Sequence, residues 1–283
     1  MGGVLSMVGT PIGNMQDVSQ RVVHTLESAD TVLCEDTRVT GKLLSLLGVH
    51  TRLERCDANV LPLELPHILE RLKAGERIAF VSDAGMPGIS DPGQQLVDAA
   101  REVDLPVEVV PGPTASVTAL VASGLPSNHF FFEGFLPRKG GAQRSRLEML
   151  AAVPATLIVY ESPRRVVSTL TVIGEVMADR QVALVRELTK VHEEVLRGTA
   201  QNLIETLNAR DSLKGECVLV IAPPSEEEQR ARAAVPQIGF EEALKQGLNS
   251  KESTSALAKR LAKTYGKPRS WVYELIVSVR EKL

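Results

Sequence analysis

Residues 81–93 form the stretch that most constrains the fold of this chain. They include three Gly, two Pro and two Asp, and they follow an apolar run at 78–81 that predicts a buried strand. Because glycine permits positive φ angles and proline fixes φ, this composition predicts a loop of defined shape before the helix predicted at 94–103. The loop then lies at the carboxyl end of a strand, where open α/β sheets bind ligands. The alternative is an Asp/Gly/Pro turn that only caps the helix.

The order strand, loop, helix recurs along the chain. Apolar runs predict further strands at 4–8, 31–34 and 107–110, and each is followed by a helical pattern. Such alternation predicts an α/β fold with a mostly parallel sheet. Two of these strands also end in Gly/Pro loops, at 9–14 and 111–113. We therefore expect three strand ends, with their loops, to converge on one crevice.

Breaks in this pattern divide the chain into four parts. The segment at 124–128 marks a boundary between two α/β domains, and an acidic stretch without apolar period predicts a linker. Beyond the linker, three short helices, the last two joined by a Gly-containing turn, resemble a helix-turn-helix unit. The predicted parts are an N-terminal α/β domain at 1–124, a second α/β domain at 125–223, a linker at 224–238 and a basic helical module at 239–283. The predicted core face of the module comprises Leu257, Leu261, Val272, Leu275 and Ile276.

The composition excludes several classes of protein. With 43% hydrophobic and 24% charged residues, the chain is typical of a folded domain rather than a disordered one. No apolar run is long enough to span a bilayer, and the N-terminus lacks the features of a signal peptide. The three cysteines, Cys34, Cys56 and Cys217, have no metal-ligand spacing, and the five histidines are scattered. We therefore expect a cytoplasmic protein without a membrane contact or a bound metal.

The charge of the chain is unevenly distributed. The net charge is −3, but residues 251–283 contain eight Lys/Arg against three Glu, which leaves −8 for the first 250 residues. A basic C-terminal module on an acidic body indicates a local contact with a polyanion. An ordinary solvated pair of helices explains the same charge pattern equally well.

The Gly/Pro loops favour one kind of ligand over others. The chain has no GxSxG elbow, no kinase motif set and no P-loop, and the loop at 9–14 is not a dinucleotide fingerprint. These loops offer mainly carbonyl and carboxylate oxygens and few N–H groups, which suits a positive centre better than a pyrophosphate. S-adenosyl-L-methionine (AdoMet), with a sulfonium, an amino-acid moiety and a flat base, fits this description.

Eight motifs in register carry a resemblance to a known family. In order along the chain they are Gly9-Thr10-Pro11-Ile12-Gly13-Asn14, Glu35-Asp36-Thr37-Arg38, Ser82-Asp83-Ala84-Gly85-Met86-Pro87, Asp91-Pro92-Gly93, Pro111-Gly112-Pro113, Glu133-Gly134-Phe135-Leu136, Tyr160-Glu161-Ser162 and Arg186-Glu187-Leu188-Thr189-Lys190. Together they resemble the tetrapyrrole methylase superfamily and, within it, the family of ribosomal RNA small subunit methyltransferase I. The likeness covers roughly residues 4–222 and, more loosely, the C-terminal helices.

The resemblance implies a fold, a cofactor and a substrate. It implies two α/β domains with AdoMet in the cleft between them, usually in a homodimer. It further implies 2′-O-methylation of a cytidine, number 1402 by convention, in the 16S ribosomal RNA of the 30S subunit. The residues that it assigns to the cofactor are Thr10, Pro11, Gly13, Asp83, Ala84, Gly85, Met86, Pro87, Pro113, Ala115, Ser116, Phe132, Gly134, Tyr160, Glu161, Leu188, Thr189, Glu216 and Val218.

The chain departs from the family pattern at two places. Met86 stands where the family usually has Thr, so a side-chain hydroxyl is lost there. The family's His-containing segment is replaced by residues 55–59, which keep only Asp57 and Asn59 of the pattern. A role for that histidine in gripping substrate does not transfer to this chain.

Methyl transfer to a ribose hydroxyl requires alignment with the donor and removal of a proton. The candidates for this step are Glu187, Lys190, Glu35 and Asp36, and our hypothesis is that Glu187 or a neutral Lys190 contacts the 2′-hydroxyl. An ion pair between Arg186 and Glu187 is the structural alternative, and residues 130–132 are expected in the core rather than in a base-stacking platform. The candidates for RNA contact are Arg38, Arg138, Lys139, Arg144, Arg164, Arg186, Lys259, Lys263, Lys267 and Arg269.

Two other functions compete with the RNA methyltransferase. One is a small-molecule methylase of the tetrapyrrole type, which needs neither the basic C-terminal module nor the Arg/Lys residues at 138–146. The other is a non-enzymatic RNA-binding adaptor that has kept the fold. Three Gly/Pro cofactor loops argue against the adaptor.

Overall fold

A computed structural model describes residues 3–234, 239–250 and 252–280, with only the backbone of residues 231–234. Part of the predicted linker, residues 235–238, lies outside the described residues. The chain forms two compact units, Met1–Ser225 and Glu226–Leu283. No helix among the described residues is long and apolar enough to cross a membrane.

The first half of the larger unit contains a five-stranded sheet in which every strand is parallel to its neighbours. The strand order is β3-β2-β4-β1-β5, so β1 lies between β4 and β5 although it comes first in the chain. This arrangement confirms the predicted α/β fold and brings the ends of β1, β4 and β5 to adjacent positions. The strands are β1 (Val4–Val8), β2 (Thr31–Cys34), β3 (Arg52–Arg55), β4 (Arg77–Val81) and β5 (Val107–Val110).

Helices that connect these strands cover the sheet, and side chains mark their ends. Ser19 caps the first helix by accepting from the backbone N–H of Val22 at 3.2 Å. Gly48 ends the second in the left-handed conformation, with φ +70°. The buried strand β4, with Phe80 fully buried, is central to the core of this half. The helices are α1 (Gln20–Ser28), α2 (Thr37–Leu47), α3 (Leu61–Lys73), α4 (Gly93–Glu102) and α5 (Ala115–Ser123).

The second half of the larger unit contains a mixed five-stranded sheet in the order β6-β7-β10-β8-β9. Only β6 and β7 are parallel, and β9 forms an antiparallel hairpin with β8. The strands are β6 (Phe130–Phe135), β7 (Thr156–Glu161), β8 (Gln181–Arg186), β9 (Glu194–Thr199) and β10 (Cys217–Ile221), and the helices are α6 (Gly140–Leu150), α7 (Val166–Val176) and α8 (Ala200–Asn208).

Helix α5 belongs by its packing to the second sheet. Its buried residues Ala119 and Leu120 lie in one apolar cluster with Ile158 of β7 and Val185 of β8. The domain boundary at residue 124 therefore stays a prediction, because α5 precedes it in the sequence but packs against the second sheet. The expectation that residues 130–132 are core holds in part for Phe132, which packs against the same cluster. It is wrong for Phe130 and Phe131, which are 47% and 37% exposed, because β6 is an edge strand.

The smaller unit is built from helices. The predicted core residues Leu257, Leu261, Val272 and Ile276 are fully buried, and Leu275 packs against them from a partly buried position. A helix occupies part of the segment expected to be a linker, since its Glu and Ala residues favour helix without needing an apolar face. The helices are α9 (Glu226–Ala234), α10 (Phe240–Asn249), α11 (Thr254–Tyr265) and α12 (Arg269–Arg280).

Candidate active site

The loops after β1 and β4 are tied together by backbone hydrogen bonds. The N–H of Thr10 donates to the carbonyl of Gly85 at 2.9 Å, and the N–H of Gly85 donates back to Thr10 at 3.2 Å. Gly85 has a φ of +84°, which favours glycine at this position. The predicted convergence of the Gly/Pro loops at the carboxyl edge of the first sheet is thus confirmed for this pair.

The loop after β5 joins the other two through a close backbone approach. A Cβ atom on Gly9 would lie 2.6 Å from the backbone nitrogen of Gly112, so neither strand end tolerates a side chain there. Met86 lies at the same junction, where its Sδ accepts a hydrogen bond from the N–H of Gly112 at 3.1 Å. The thioether that replaces the family's hydroxyl therefore binds the third loop to the second.

The edge of the second sheet faces these loops at two points. A Cβ on Gly13 would lie 2.7 Å from Oγ1 of Thr189, and a Cβ on Gly134 would lie 3.4 Å from Oγ of Ser90. The tips of both sheets therefore contact each other around a space that neither of them fills. Thr189 Oγ1 is buried there and has no hydrogen-bond partner among the residues that the structure describes.

This space is a cavity of about 410 Å³, within the range of roughly 300–1,000 Å³ for small-molecule sites. Loops of the first sheet and the start of α5 supply one wall, and strands and loops of the second sheet supply the other. Apolar side chains dominate the walls, with a few hydroxyl and carboxylate groups between them. The first wall consists of Ile12, Ala84, Gly85, Met86, Ile89, Ser90, Thr114 and Ala115, and the second of Phe135, Tyr160, Glu161, Ser162, Pro163, Val185, Leu188, Gly215, Glu216, Cys217 and Val218.

The cavity brings together about half of the residues assigned to the cofactor from sequence. Those in its walls are Ala84, Gly85, Met86, Ala115, Tyr160, Glu161, Leu188, Glu216 and Val218. Those that touch a wall residue, or the turn beside it, are Thr10, Gly13, Pro113, Ser116, Phe132, Gly134 and Thr189. Pro11, Asp83 and Pro87 lie in the same loops but outside the walls.

Ten wall residues are not among those assigned to the cofactor from sequence. Four of them lie within or next to assigned stretches, namely Ile12, Thr114, Phe135 and Cys217. Ser162 ends a recognised motif, Pro163 follows it, and Gly215 precedes the assigned Glu216, so extending the assigned stretches by one residue would have found them. Val185 is an ordinary strand residue whose pattern contains no functional signal. The remaining two, Ile89 and Ser90, lie at the tip of the loop that first indicated a ligand site.

Tyr160 connects the start of α5 to β7. Its hydroxyl accepts a hydrogen bond from the backbone N–H of Ser116 at 3.1 Å. Its ring makes edge-on contacts with Phe132 and Phe135, at centroid distances of 4.8 Å and 5.6 Å. The aromatic residues of β6 therefore support the cavity wall from one side.

Glu161 lines the cavity, but its carboxylate serves the protein's own structure. One oxygen accepts from the backbone N–H of Ser162 at 2.8 Å, and the other accepts from the hydroxyl of Thr169 at 2.7 Å. Arg165 lies 3.4 Å from the second oxygen. A buried charge needs such partners, so this carboxylate positions the loop after β7.

Two of the four catalytic candidates, Glu35 and Asp36, follow β2 and lie beside the loop after β4. The backbone N–H of Asp36 donates to the Asp83 carboxylate at 3.2 Å, and the Asp36 carboxylate caps α2 and binds Arg38 at 2.6 Å. Hydrogen bonds from Arg38 lower the pKa of Asp36 well below its usual value. Burial, and next the Asp91 carboxylate, raise the pKa of Glu35. Of these two candidates, Glu35 is thus the carboxylate that binds a proton more readily.

Glu187 and Lys190, the other two candidates, form a network with Glu216. The Lys190 ammonium lies 2.9 Å from Glu187 Oε1 and 3.1 Å from Glu216 Oε2, and Glu187 Oε1 also accepts from the Glu216 N–H at 2.9 Å. That N–H and the ammonium lower the pKa of Glu187. Burial opposes charge on Lys190, but its two carboxylate partners outweigh burial and raise its pKa. The expectation of a neutral Lys190 is therefore wrong.

The turn that holds this network is strained. Glu187 has a φ of +53° and Thr189 a φ of +65°, both in the left-handed region that favours glycine. Gly215 lies above the Glu187 carboxylate, and a Cβ on it would fall 2.4 Å from that group. Strain of this kind often marks functional sites, since the surrounding structure must hold it in place.

The predicted alternative of an ion pair between Arg186 and Glu187 is wrong. Arg186 binds Glu194 of β9 at 3.2 Å and the carbonyl of Lys214 at 3.0 Å. Glu194 also pairs with Arg210 at 2.7 Å. Arg186 is the last residue of β8, whereas Glu187 begins the turn after it with a left-handed φ, and each finds a different partner.

The candidate RNA-binding residues differ in whether a carboxylate of the protein already binds them. Arg38 pairs with Asp36, and Arg144 pairs with Glu175, whereas Arg138, Lys139 and Arg164 are exposed. In the smaller unit, Lys267 lies over the ring of Trp271 at 5.9 Å, and Arg269 donates to Ser255 at 3.0 Å. The two remaining candidates, Lys259 and Lys263, are exposed on α11.

Comparisons with known proteins identify the family. A family model described as tetrapyrrole (corrin/porphyrin) methylases matches residues 4–204. Ribosomal RNA small subunit methyltransferase I of Mesorhizobium japonicum is 39% identical over 98% of this chain and 92% of its own length. The chain belongs to this family. The protein of the same name from Streptococcus pyogenes is 46% identical over 78% of this chain and 76% of its own length.

The fold is shared with more distant methylases. The crystal structure of uroporphyrin-III C-methyltransferase from Thermus thermophilus, complexed with S-adenosylhomocysteine, matches with a TM-score of 0.55 at 20% identity. The match covers 78% of this chain and 97% of the other. Family and fold predicted from sequence are confirmed, and membership makes the chain a methyltransferase, in agreement with the predicted AdoMet cofactor. Among the described residues, no group of three or more His, Cys, Asp or Glu side chains could hold a metal ion.

Proposed function

We propose that this protein transfers a methyl group from AdoMet to the 2′-oxygen of a cytidine, number 1402 by convention, in 16S ribosomal RNA of the 30S subunit. The observation behind the proposal is a cavity between the two sheet edges, in a chain similar over 98% of its length to a ribosomal RNA small subunit methyltransferase. We further propose that the protein acts as a homodimer.

The cavity suits AdoMet in size and in wall chemistry. Buried Leu188 and Val218 provide apolar surface for a flat base, and the unpartnered hydroxyl of Thr189 beside the wall can bind a polar group of the cofactor. Glu216 adds a negative charge at the wall, which favours a positive centre nearby. When bound, AdoMet supplies a methyl group on a positively charged sulfur. The start of α5, with Ala115 in the wall, would attract the cofactor's carboxylate to the positive end of the helix.

The Glu187–Lys190–Glu216 network is proposed to receive the ribose hydroxyl. Lys190 remains an ammonium because its pKa is raised, so it donates a hydrogen bond to the hydroxyl oxygen and stabilises negative charge there. Glu187, ionised at neutral pH, accepts the proton. Glu35 is the alternative base, since its raised pKa is better matched to proton transfer near neutrality, while Asp36 is occupied by Arg38.

The RNA backbone is proposed to bind the exposed cations around the cleft. Arg138, Lys139 and Arg164 are the strongest candidates because they are exposed, whereas Arg38, Arg144 and Arg186 already have carboxylate partners. Phosphate contacts of this kind fix orientation without reading sequence. In the smaller unit, the proposed phosphate contacts are Lys259, Lys263, Lys267 and Arg269.

The test is transfer of a tritiated methyl group from AdoMet to 30S subunits and to naked 16S RNA, both from cells that lack this methylation. We expect labelled ribose at cytidine 1402, and the ratio of the two substrates tells whether the assembled subunit is required. Label at a base, at another nucleotide, or on neither substrate would overturn the proposal.

A small-molecule methylase is the second candidate, favoured by the match of the family model to tetrapyrrole methylases. Uroporphyrinogen in the same assay separates the two, since only a tetrapyrrole methylase would label it. The non-enzymatic adaptor is separated by calorimetric titration with AdoMet, because an adaptor would give no heat of binding.

A further inference from the structure

A bulge in β6 changes the face of the sheet on which Phe135 lies. Phe132 pairs with Ile158 and Gly134 with Val159, so Glu133 is an extra residue in the ladder. Gly134 makes the bulge possible with a φ of +73°. Without the extra residue, Phe135 would pair opposite Glu161 on the other face of the sheet. With it, Phe135 pairs with Tyr160 and lies on the same face of the sheet as Phe132 and Ile158.

Of the two aromatic wall residues, Phe135 is 61% exposed, whereas Tyr160 is partly buried. The Tyr160 ring supports it from behind, at 5.6 Å and an interplanar angle of 67°. Much of the Phe135 ring is therefore open to solvent at the cavity wall rather than used in the core. An exposed aromatic ring that is buttressed by a second ring loses little freedom when a ligand stacks on it.

A second exposed apolar side chain lies on the opposite wall. Ile89, from the loop after β4, lines the cavity and is 47% exposed. The next residue, Ser90, has a φ of +70° and approaches the bulge, since a Cβ on Gly134 would lie 3.4 Å from its Oγ. The loop tip and the bulge therefore touch, and Ile89 and Phe135 flank the mouth from the two sheets.

We propose that Phe135 and Ile89 hold the base of the target nucleotide at the mouth of the cavity. This inference rests on the proposed function, in which a ribose hydroxyl must reach a donor inside the cleft. To bring that ribose inward, the nucleotide leaves its stack, and its base then needs a flat apolar surface outside the cofactor site. The adenine of the cofactor is the other flat group present, but the enclosed walls around Leu188 and Val218 suit it better than a half-exposed mouth.

The test compares Phe135→Ala with Phe135→Trp, and with Phe130→Ala as a matched control. Phe130 lies on the same strand and is 47% exposed, but it is not part of the cavity wall. Each variant is assayed for kcat/KM with 30S subunits and for its AdoMet dissociation constant by calorimetry. We expect Phe135→Ala to lower kcat/KM by about tenfold to a hundredfold, as for loss of one base–aromatic stack. The tryptophan variant should keep most of the activity, and Phe130→Ala should match the wild type.

The calorimetric result decides which flat group Phe135 binds. If Phe135→Ala keeps the wild-type AdoMet affinity, the variant is folded and its loss lies with the RNA, as proposed. If AdoMet affinity falls by the same factor as kcat/KM, the ring holds the cofactor and the inference is overturned. An unchanged kcat/KM overturns it as well. Failure of the wild-type protein to label 30S subunits would instead remove the proposed function.

Discussion

The two sheet edges that face the cavity are built by different means. At the edge of the first sheet, backbone contacts of Gly9 with Gly112 and of Gly85 with Thr10 set the geometry. Burial beside other carboxylates raises the pKa of Glu35 there. At the edge of the second sheet, an ion network sets the geometry, and the pKa of Glu187 is lowered. The first edge therefore depends on small residues and disfavours the charge of Glu35, whereas the second depends on paired charges.

The largest effect is expected where the first edge depends on glycine. Gly9→Ala would place a Cβ 2.6 Å from the nitrogen of Gly112, so the loops must separate. We expect AdoMet binding to fall by about a hundredfold or more and the free energy of unfolding to fall by about 1–3 kcal/mol, as for overpacking. Calorimetry measures the AdoMet affinity, and denaturant unfolding measures the free energy of unfolding. Gly140→Ala is the control, since nothing lies within 4 Å of its Cβ position.

The second prediction concerns the charge network of the other edge. Glu187→Gln keeps the shape of the side chain but removes the proton acceptor, so we expect kcat to fall by about a hundredfold or more, typical of a lost general base. The AdoMet dissociation constant should stay unchanged, because Glu187 is not in the cavity wall. Single-turnover methyl transfer measures the first quantity. Unchanged turnover would remove Glu187 as the base and favour Glu35, whose variant Glu35→Gln would then be the inactive one.

A smaller effect should separate the cations of the two edges. Lys139, which follows the second sheet's β6, is exposed, whereas Arg38 at the first edge is bound to Asp36. Lys139→Ala should raise KM for 30S subunits by about threefold to tenfold and reduce the slope of log affinity against log salt by about one. Arg38→Ala should change the KM for 30S subunits and the salt slope less than Lys139→Ala does. Equal effects of the two substitutions would break the contrast between the edges.

The smallest effects are expected in the pH dependence of stability. The folded pKa of Glu35 is raised above its ordinary 4.5, so its ionisation destabilises the fold at neutral pH and not below the unfolded pKa. Glu35→Gln should therefore stabilise the protein at pH 7 and have no effect in acid. The folded pKa of Glu187 is lowered, so its stabilising contribution is complete above 4.5 and is lost as pH falls through the folded value. Glu187→Gln should destabilise at pH 7, as denaturant unfolding at several pH values would measure.

Sequence predicted the first edge better than the second because local composition determines it. Glycine and proline at strand ends mainly shape tight loops. The convergence of the loops around Gly9 and Gly85 could therefore be predicted from the sequence pattern alone. The partners of Arg186 and Glu187 include Glu194 and the N–H of Glu216, which neighbouring strands bring alongside, and no local signal names them. The bulge before Phe135 was invisible for the same reason, since strand register arises from pairing across the sheet.

The single passage of the chain between the sheets sets how the cleft can move. The chain leaves β5, runs through Pro111-Gly112-Pro113 and enters α5, which is packed on the second sheet while its first residue lines the cavity. Two prolines stiffen this crossing, and the N–H of its glycine is held by Met86. With so rigid a pivot, the depth of the cleft is preset, and entry and exit of ligands must depend on the loop tips at its rim rather than on one sheet swinging away from the other.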